Sequence, residues 1–293
     1  LTSPRISPFT IFSWQVKRLL NAKKNPHLKT LAVHKLENFS LPLNSLVWLG
    51  HASFWININQ SNILIDPVLD TIPMYQRLIP FPIDPQLLNV DIILITHAHY
   101  DHLDLRSLRY LFKNNPQVTF IVPKGCSRYL KPYIPLSSII ELTYWERYER
   151  DNFSIDFVPS YHWSKRTLFD TNKALWGGFV MTSSTAVVYH AGDTAYGEHF
   201  KAISTRYSIT HALMPIGAYN PANIMKHSHM NPQEAIQASE DLGVKWCIPM
   251  HYGTFQLTDE PYWEPLTLFN SHAKTSPIGV QPVNVGEVIS LNA

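Results

Sequence analysis

Residues 91–96, DIILIT, place four large aliphatic side chains in a row, Ile92 to Ile95. A strand that alternates apolar and polar residues can keep one face in water, but a strand that is apolar throughout cannot. Whatever this chain folds into must therefore cover that strand on both faces, which calls for layers on either side of a sheet. Similar text recurs. LVWLG, SFWINI and NILID follow one another from Leu46, and VTFIVP, IIEL, FSIDFVPS, GGFVMT and TAVVYHAGD carry the β signal to residue 193. ITHALMPIG and KWCIPMHYG add two strands, and VQPVNVGEVISLN closes with another. Helical text lies between them. Asp104 can cap a run bearing Leu105, Leu108, Leu111 and Phe112 on helical spacing. In NPQEAIQASEDLG, Asn231 is the N-cap, Pro232 takes the first helical position, Glu234 completes a capping box and Gly243 ends the helix. Two β-rich halves, each followed by helices, predict an α/β fold of two packed sheets with helices outside.

With 293 residues, 45% of them hydrophobic, the chain is long enough for a substantial core. No linker divides it. The expected organisation is an N-terminal arm over 1–44 and a main domain over 45–293. The arm mixes Phe9, Ile11, Phe12, Trp14 and Leu19 with Lys17, Arg18, Lys23 and Lys24. It reads either as a segment that docks on an anionic bilayer or as one that packs on the domain with its lysines solvated. Residues 71–85, TIPMYQRLIPFPIDP, read as a proline-punctuated loop with exposed apolar residues, a second candidate for gripping lipid.

Net charge excludes one class of partner. Twenty-four basic residues against 22 acidic leave +2, too little for a nucleic-acid field. Cys126 and Cys247 lie in no CxxC pair and are expected as reduced, partly buried thiols. No apolar run reaches the roughly 18 residues a membrane span needs. A cytoplasmic protein, peripheral at a membrane, is the expectation. Because the chain opens on Leu1 rather than Met, a removed leader segment stays open as well.

The apolar strand runs directly into THAHYDHLD, which brings His97, His99, Asp101 and His102 together within six positions. On a helix these side chains would scatter around more than a turn; on a loop leaving a strand they can converge. Imidazole and carboxylate are the usual ligands of zinc, and neutral imidazole also suits iron or manganese. Four such groups exceed the three protein ligands that one open catalytic ion takes, so the motif points to two ions. The pattern of a strand ending in His or Asp recurs at His162, at His190 and Asp193, and at His251.

THAHYDHLD is the HxHxDH signature of the metallo-β-lactamase superfamily. GHASF, LIDPVL, PSYHWSKRTLFDTNKALWGGF, YHAGDTAYG, PIGAYNP, HMNPQEA and HYGTF further resemble the N-acyl-phosphatidylethanolamine-hydrolysing phospholipase D group, from about Leu46 to about Glu264. The resemblance implies an αββα sandwich of two mixed sheets with helices on the outer faces. It implies two zinc ions, one on His97, His99 and His162, the other on Asp101, His102 and His251, with Asp193 shared and the ions roughly 3.5–4 Å apart around a hydroxide. It implies a phosphodiesterase that splits N-acyl-phosphatidylethanolamine into N-acylethanolamine and phosphatidic acid. A sugar-phosphate lactonase on the same ligands, and a binding protein without turnover, are the alternatives.

Other residues carry smaller expectations. Catalysis is assigned to Asp101, to Tyr100 as a phenol near the phosphate, and to His229 as a phosphate contact or proton donor. His51, Asp66 and Asp104 are expected behind the ligands, where carboxylates orient histidines; Asp104 can equally serve as a helix cap alone. His190 reads as a core histidine. Lys165 and Arg166 hold a lipid phosphate or form a surface ion pair.

Overall fold

The computed structural model describes Thr10, Ser13, Trp14, Val16, residues 31–37 and residues 39–292. The aromatic and basic residues Phe9, Ile11, Phe12, Lys17, Arg18, Leu19, Lys23 and Lys24, on which the expectation for the arm rests, lie outside the described residues. Trp14 is described: its indole Nε1 donates to Asp259 Oδ2 at 2.6 Å. From Leu31 onward the chain lies along the domain, with a bridge from Val33 to Val285 and another from Leu36 to Ile83.

Two seven-stranded sheets form the centre, both mixed. The first contains β1 (Ser45–Gly50), β2 (Ser53–Ile58), β3 (Ser61–Ile65), β4 (Ile92–Leu94), β5 (Thr119–Pro123) and β6 (Ile139–Leu142). The second contains β7 (Arg147–Arg150), β8 (Phe153–Pro159), β9 (Gly177–Thr182), β10 (Val187–His190), β11 (His211–Pro215), β12 (Trp246–Met250) and β13 (Gly279–Val280). The last strand, β14 (Val288–Ser290), crosses back and pairs with β1, tying the end of the domain to its beginning. Pairing is antiparallel from β1 to β3 and from β7 to β10, then parallel from β3 to β6 and from β10 to β13.

The unbroken apolar text is explained by two cores. Leu46 and Trp48 of β1, Ile63 and Ile65 of β3, and Ile92 and Leu94 of β4 face the second sheet, against Ile155, Phe157 and Phe179. Their alternates Val47, Leu49, Leu64, Ile93 and Ile95 pack outward with Leu108 and Leu111 of the helix Leu105–Asn114. Each fully buried aliphatic side chain stabilises the fold by roughly 1.5–3 kcal/mol. That helix begins where expected, with the Asp104 carboxylate accepting from Ser107 N. The helix Pro232–Leu242 has its capping box and its left-handed Gly243 stop.

One expectation is corrected here. The 71–85 loop turns Ile72, Ile79 and Ile83 inward, and of its large apolar side chains only Met74 is exposed. The loop is anchored by Arg77, whose guanidinium donates to the carbonyls of Val68, Ile79 and Leu49. Its three isoleucines cover the domain, and Leu78 is half-buried.

Candidate metal centre

The ligand-type residues come from the ends of four strands. β4 leads to His97, His99, Asp101 and His102; β8 leads to His162; β10 to Asp193; β12 to His251. Three of these strands lie in the parallel parts of their sheets, where successive strands end at the same edge. His51, Asp66 and His251 all have positive φ, at 55°, 42° and 63°. This left-handed conformation is costly for residues with a Cβ, and three examples at one site mark a backbone held there by its surroundings.

The donor atoms converge in two groups. In the first, His97 Nε2 lies 2.8 Å from His99 Nδ1, which lies 3.2 Å from His162 Nε2. In the second, His102 Nε2 and His251 Nε2 stand 3.6 and 3.7 Å from Asp101 Oδ2, and His51 Nε2 is 3.0 Å from the same oxygen. Asp193 sits between the groups. Its Oδ2 is 3.8 Å from both His97 and His162 and 3.2 Å from His102, while its Oδ1 is 3.1 Å from His251.

Behind the donors, hydrogen bonds fix which nitrogen faces inward. His102 Nδ1 donates to Asp66 Oδ2 at 2.7 Å, and His162 Nδ1 donates to the Ser228 carbonyl at 2.9 Å. The Thr96 hydroxyl donates to Asp66 and, with its lone pair, meets His97 Nδ1 at 3.0 Å. With Nδ1 bonded outward in each, Nε2 is the nitrogen turned toward a cation. His102 Nε2 and His251 Nε2 face Asp193 at 3.2 and 3.1 Å, so buried imidazoles and carboxylates crowd together around one carboxylate. A divalent cation among them would take the place of the protons these contacts share, so the donor set fits a metal centre.

The electrostatics agree. Burial, reinforced by neighbouring rings, holds His97 and His162 well below the ordinary histidine value and His99 down to about 4, so these three rings are neutral. For His102 and His251 burial pulls the same way, but Asp193 and Asp101 outweigh it, lifting His102 well above the ordinary value and His251 to about 9. Burial disfavours charge on Asp101 and Asp193, yet the adjacent imidazoles keep both carboxyls far below the usual carboxylate range.

The remaining candidates separate. His51 is neutral, pushed to about 3 by burial and His251, and its Nε2 contacts Asp101 while its ring lies 4.1 Å from that of His251. His229 borders the centre, its ring 5.0 Å from His162 and 5.6 Å from His251, with Nδ1 buried and unpartnered. It also lines a groove of about 690 Å³ with Tyr219, Asn220, Lys226 and His272. Tyr100 does not aim its phenol inward: the hydroxyl donates to the Arg166 carbonyl at 3.0 Å, and the side chain is 42% exposed. Among the described residues Arg166 forms no ion pair. Its Nη1 donates to Ala98 O and Leu103 O, its guanidinium stacks on Tyr100 at 4.3 Å, and so it clamps the HxHxDH loop from outside. Asp104 spends its carboxylate on Ser107 N and Oγ, the helix-cap role. His190 is a core residue, bonded to Ala52 O and Gly192 N. Thr96 and the Ser228 carbonyl went unnoticed in the sequence. Thr96 stands directly before His97, which was the available signal; a backbone carbonyl leaves none.

Residues 61–252 match the β-lactamase superfamily domain family. The chain is 36% identical over 253 residues to the mitochondrial N-acyl-phosphatidylethanolamine-hydrolyzing phospholipase D of Saccharomyces cerevisiae, covering 82% of this chain and 53% of that protein. The chain thus spans about half the length of this relative. It is 30% identical over 257 residues to N-acyl-phosphatidylethanolamine-hydrolyzing phospholipase D 1 of Caenorhabditis elegans, covering 80% of this chain and 72% of that protein. Among solved structures, a metallo hydrolase from the archaeon Ignicoccus hospitalis aligns with a TM-score of 0.61 at 25% identity, over 84% of this chain and 97% of that one.

Proposed function

This chain belongs to the β-lactamase superfamily, and we propose that it is a metal-dependent hydrolase whose reaction is of the phospholipase D type, on N-acyl-phosphatidylethanolamine. Water adds to phosphorus, the bond from phosphorus to the ethanolamine oxygen breaks, and the products are phosphatidic acid and N-acylethanolamine. The observation that carries the metal chemistry is the position of Asp193, within 3.8 Å of imidazoles from both donor groups. The substrate rests on the two phospholipase D relatives.

Two divalent ions, zinc by the donor chemistry, would be held by His97, His99 and His162 and by Asp101, His102 and His251, with Asp193 between the two groups. Ions held there would make water acidic enough to ionise near neutral pH and would offset charge on the phosphodiester. The protein's own part is to orient and to donate. Asp66, Thr96 and Ser228 hold the ligand imidazoles by their outer nitrogens. His51 steadies Asp101. His229, which burial pushes down to about 4, is neutral at working pH. Its ring N–H would steady a phosphate oxygen or the departing alcohol by a hydrogen bond. The groove beside it gives the substrate a way in, with Lys226 on its wall for the negative charge. The N-terminal arm over residues 1–44 is assigned here to the approach of the lipid.

Zinc-loaded protein incubated with N-acyl-phosphatidylethanolamine vesicles, with His99→Ala as control, tests the reading. Mass spectrometry should find both products with the intact protein alone. Turnover confined to a lactone panel would replace the phosphodiester with an ester substrate on the same centre.

A further inference from the structure

Leu168 and Phe169 are 80% and 84% exposed, more than any other large hydrophobic side chain among the described residues. They are adjacent, at the tip of the loop that follows His162. The base of that loop is tightly bonded. The Asp170 carboxylate accepts from Arg166 N, Thr167 N and the Tyr129 hydroxyl at 2.8–2.9 Å. Asn172 N donates to Ser164 O at 2.7 Å. The bonded base presents the tip outward, and both large apolar side chains stand in water. Tyr133 and Leu136, which follow Tyr129 along the chain, are 47% and 63% exposed.

The surroundings are basic. Lys124, Arg128, Lys131 and Lys173 line one groove of about 910 Å³, and Lys173 belongs to the same loop as Phe169. The one carboxylate in that lining, Glu141, is spent on the backbone N–H groups of Gly125 and Ser127. The same loop touches the metal-binding loop: Ala98 N donates to Ser164 Oγ, and Tyr100 donates to Arg166 O.

We propose that Leu168 and Phe169 insert into an anionic phospholipid bilayer, with Lys124, Arg128, Lys131 and Lys173 on its headgroups, and so set the metal centre against the membrane. The choice of a bilayer rests on the phospholipid reading above and on charge: an apolar tip on a loop whose other end, at Lys173, lines a basic groove matches an acidic interface. The assignment replaces the 71–85 loop, whose isoleucines are buried, as the face that meets lipid.

Binding is measured on vesicles that contain no substrate, so that docking and turnover fail separately. Cys126 and Cys247 are fully buried, so a Thr171→Cys variant can be labelled selectively with an environment-sensitive dye. On phosphatidylcholine vesicles containing phosphatidylglycerol, the dye should shift to the blue and be quenched by brominated acyl chains. Partitioning should weaken at least about 30-fold in L168S/F169S, as expected when two apolar side chains no longer leave water. It should weaken several-fold in K131E/K173E and in high salt, and change little in M74S. An unshifted dye on bound protein, no binding, or unchanged partitioning of L168S/F169S with its melting temperature intact overturns the proposal. Hydrolysis without insertion would leave the substrate reading standing and remove this one; insertion without hydrolysis would do the reverse.

Discussion

His102 Nδ1 lies 2.7 Å from Asp66 Oδ2, and both side chains are completely buried. The contact joins two loops of the first sheet, one leaving β3 and one leaving β4, and it aims His102 Nε2 at Asp193. Asp66 also receives the backbone N–H and the hydroxyl of Thr96, so one carboxylate organises the start of the whole motif. Replacing Asp66 with Asn keeps the shape but cannot accept all three bonds. Metal affinity, measured by chelator competition, should fall about 10–100-fold while the fold survives. An unchanged affinity would mean that His102 is oriented by packing alone.

Gly192, directly before Asp193, has φ +61°, and a Cβ there would meet Gly177 O at 2.6 Å and Thr96 Cβ at 3.1 Å. The obstruction is largely backbone, which cannot swing away. Gly192→Ala should cost about 1–3 kcal/mol in chemical denaturation. It should also weaken metal binding, because Asp193 would be displaced from between the donor groups. A stable variant with full metal affinity would contradict the geometry.

Metal uptake should release protons. In the metal-free chain Asp193 and Asp101 hold His102 and His251 charged, His251 to about pH 9, whereas His99, at about 4, is already neutral. A cation must displace the protons of the first two, so affinity should weaken as pH falls below 9. Calorimetry in buffers of different ionisation enthalpy should read release approaching two protons at pH 7 and less above pH 9. The sign for stability follows from the same shift. A raised pKa in the folded state stabilises fully below the unfolded value of about 6.5 and is lost as pH rises through 9. The metal-free protein should therefore lose stability over that window, and the metal-loaded protein should not follow it.

Arg166 distinguishes a clamp from a substrate contact. Its bonds to Ala98 O and Leu103 O brace the metal-binding loop, so Arg166→Met should lower metal affinity about tenfold or more, since hydrogen bonds from a charged donor are worth roughly 1.5–3 kcal/mol. With metal saturating, KM for a charged phosphodiester should be nearly unchanged. A large rise in KM with metal affinity intact would return Arg166 to the role of a phosphate ligand.

The parts of the molecule that were legible from sequence are those governed by local periodicity. Ile92–Ile95 announced a doubly covered strand because side chains alternate faces, and the structure divides them between two cores. Asn231, Glu234 and Gly243 announced a helix with both ends, since capping is chemistry within a few residues. β7, RYER, escaped notice: it is an edge strand whose charged residues make no apolar run, and it pairs because β8 offers a free edge. The helix Glu264–Ala273 has no side-chain cap to mark its start.

The chain's text alone showed that imidazoles and carboxylates stand at strand ends, because each follows an apolar run that must end at a sheet's edge; it marked His190 by the same pattern as Asp193, and His190 lies in the core. Tertiary structure decided what the text left open. It spent the Tyr100 phenol and the Arg166 guanidinium on each other's surroundings, and gave Asp104 to its helix. It set Asp193 between two donor groups that come from both sheets, and it left Leu168 and Phe169 in water. These outcomes depend on which hydrogen-bond partner stands nearest once distant segments meet. Sequence spacing carries no information about that distance.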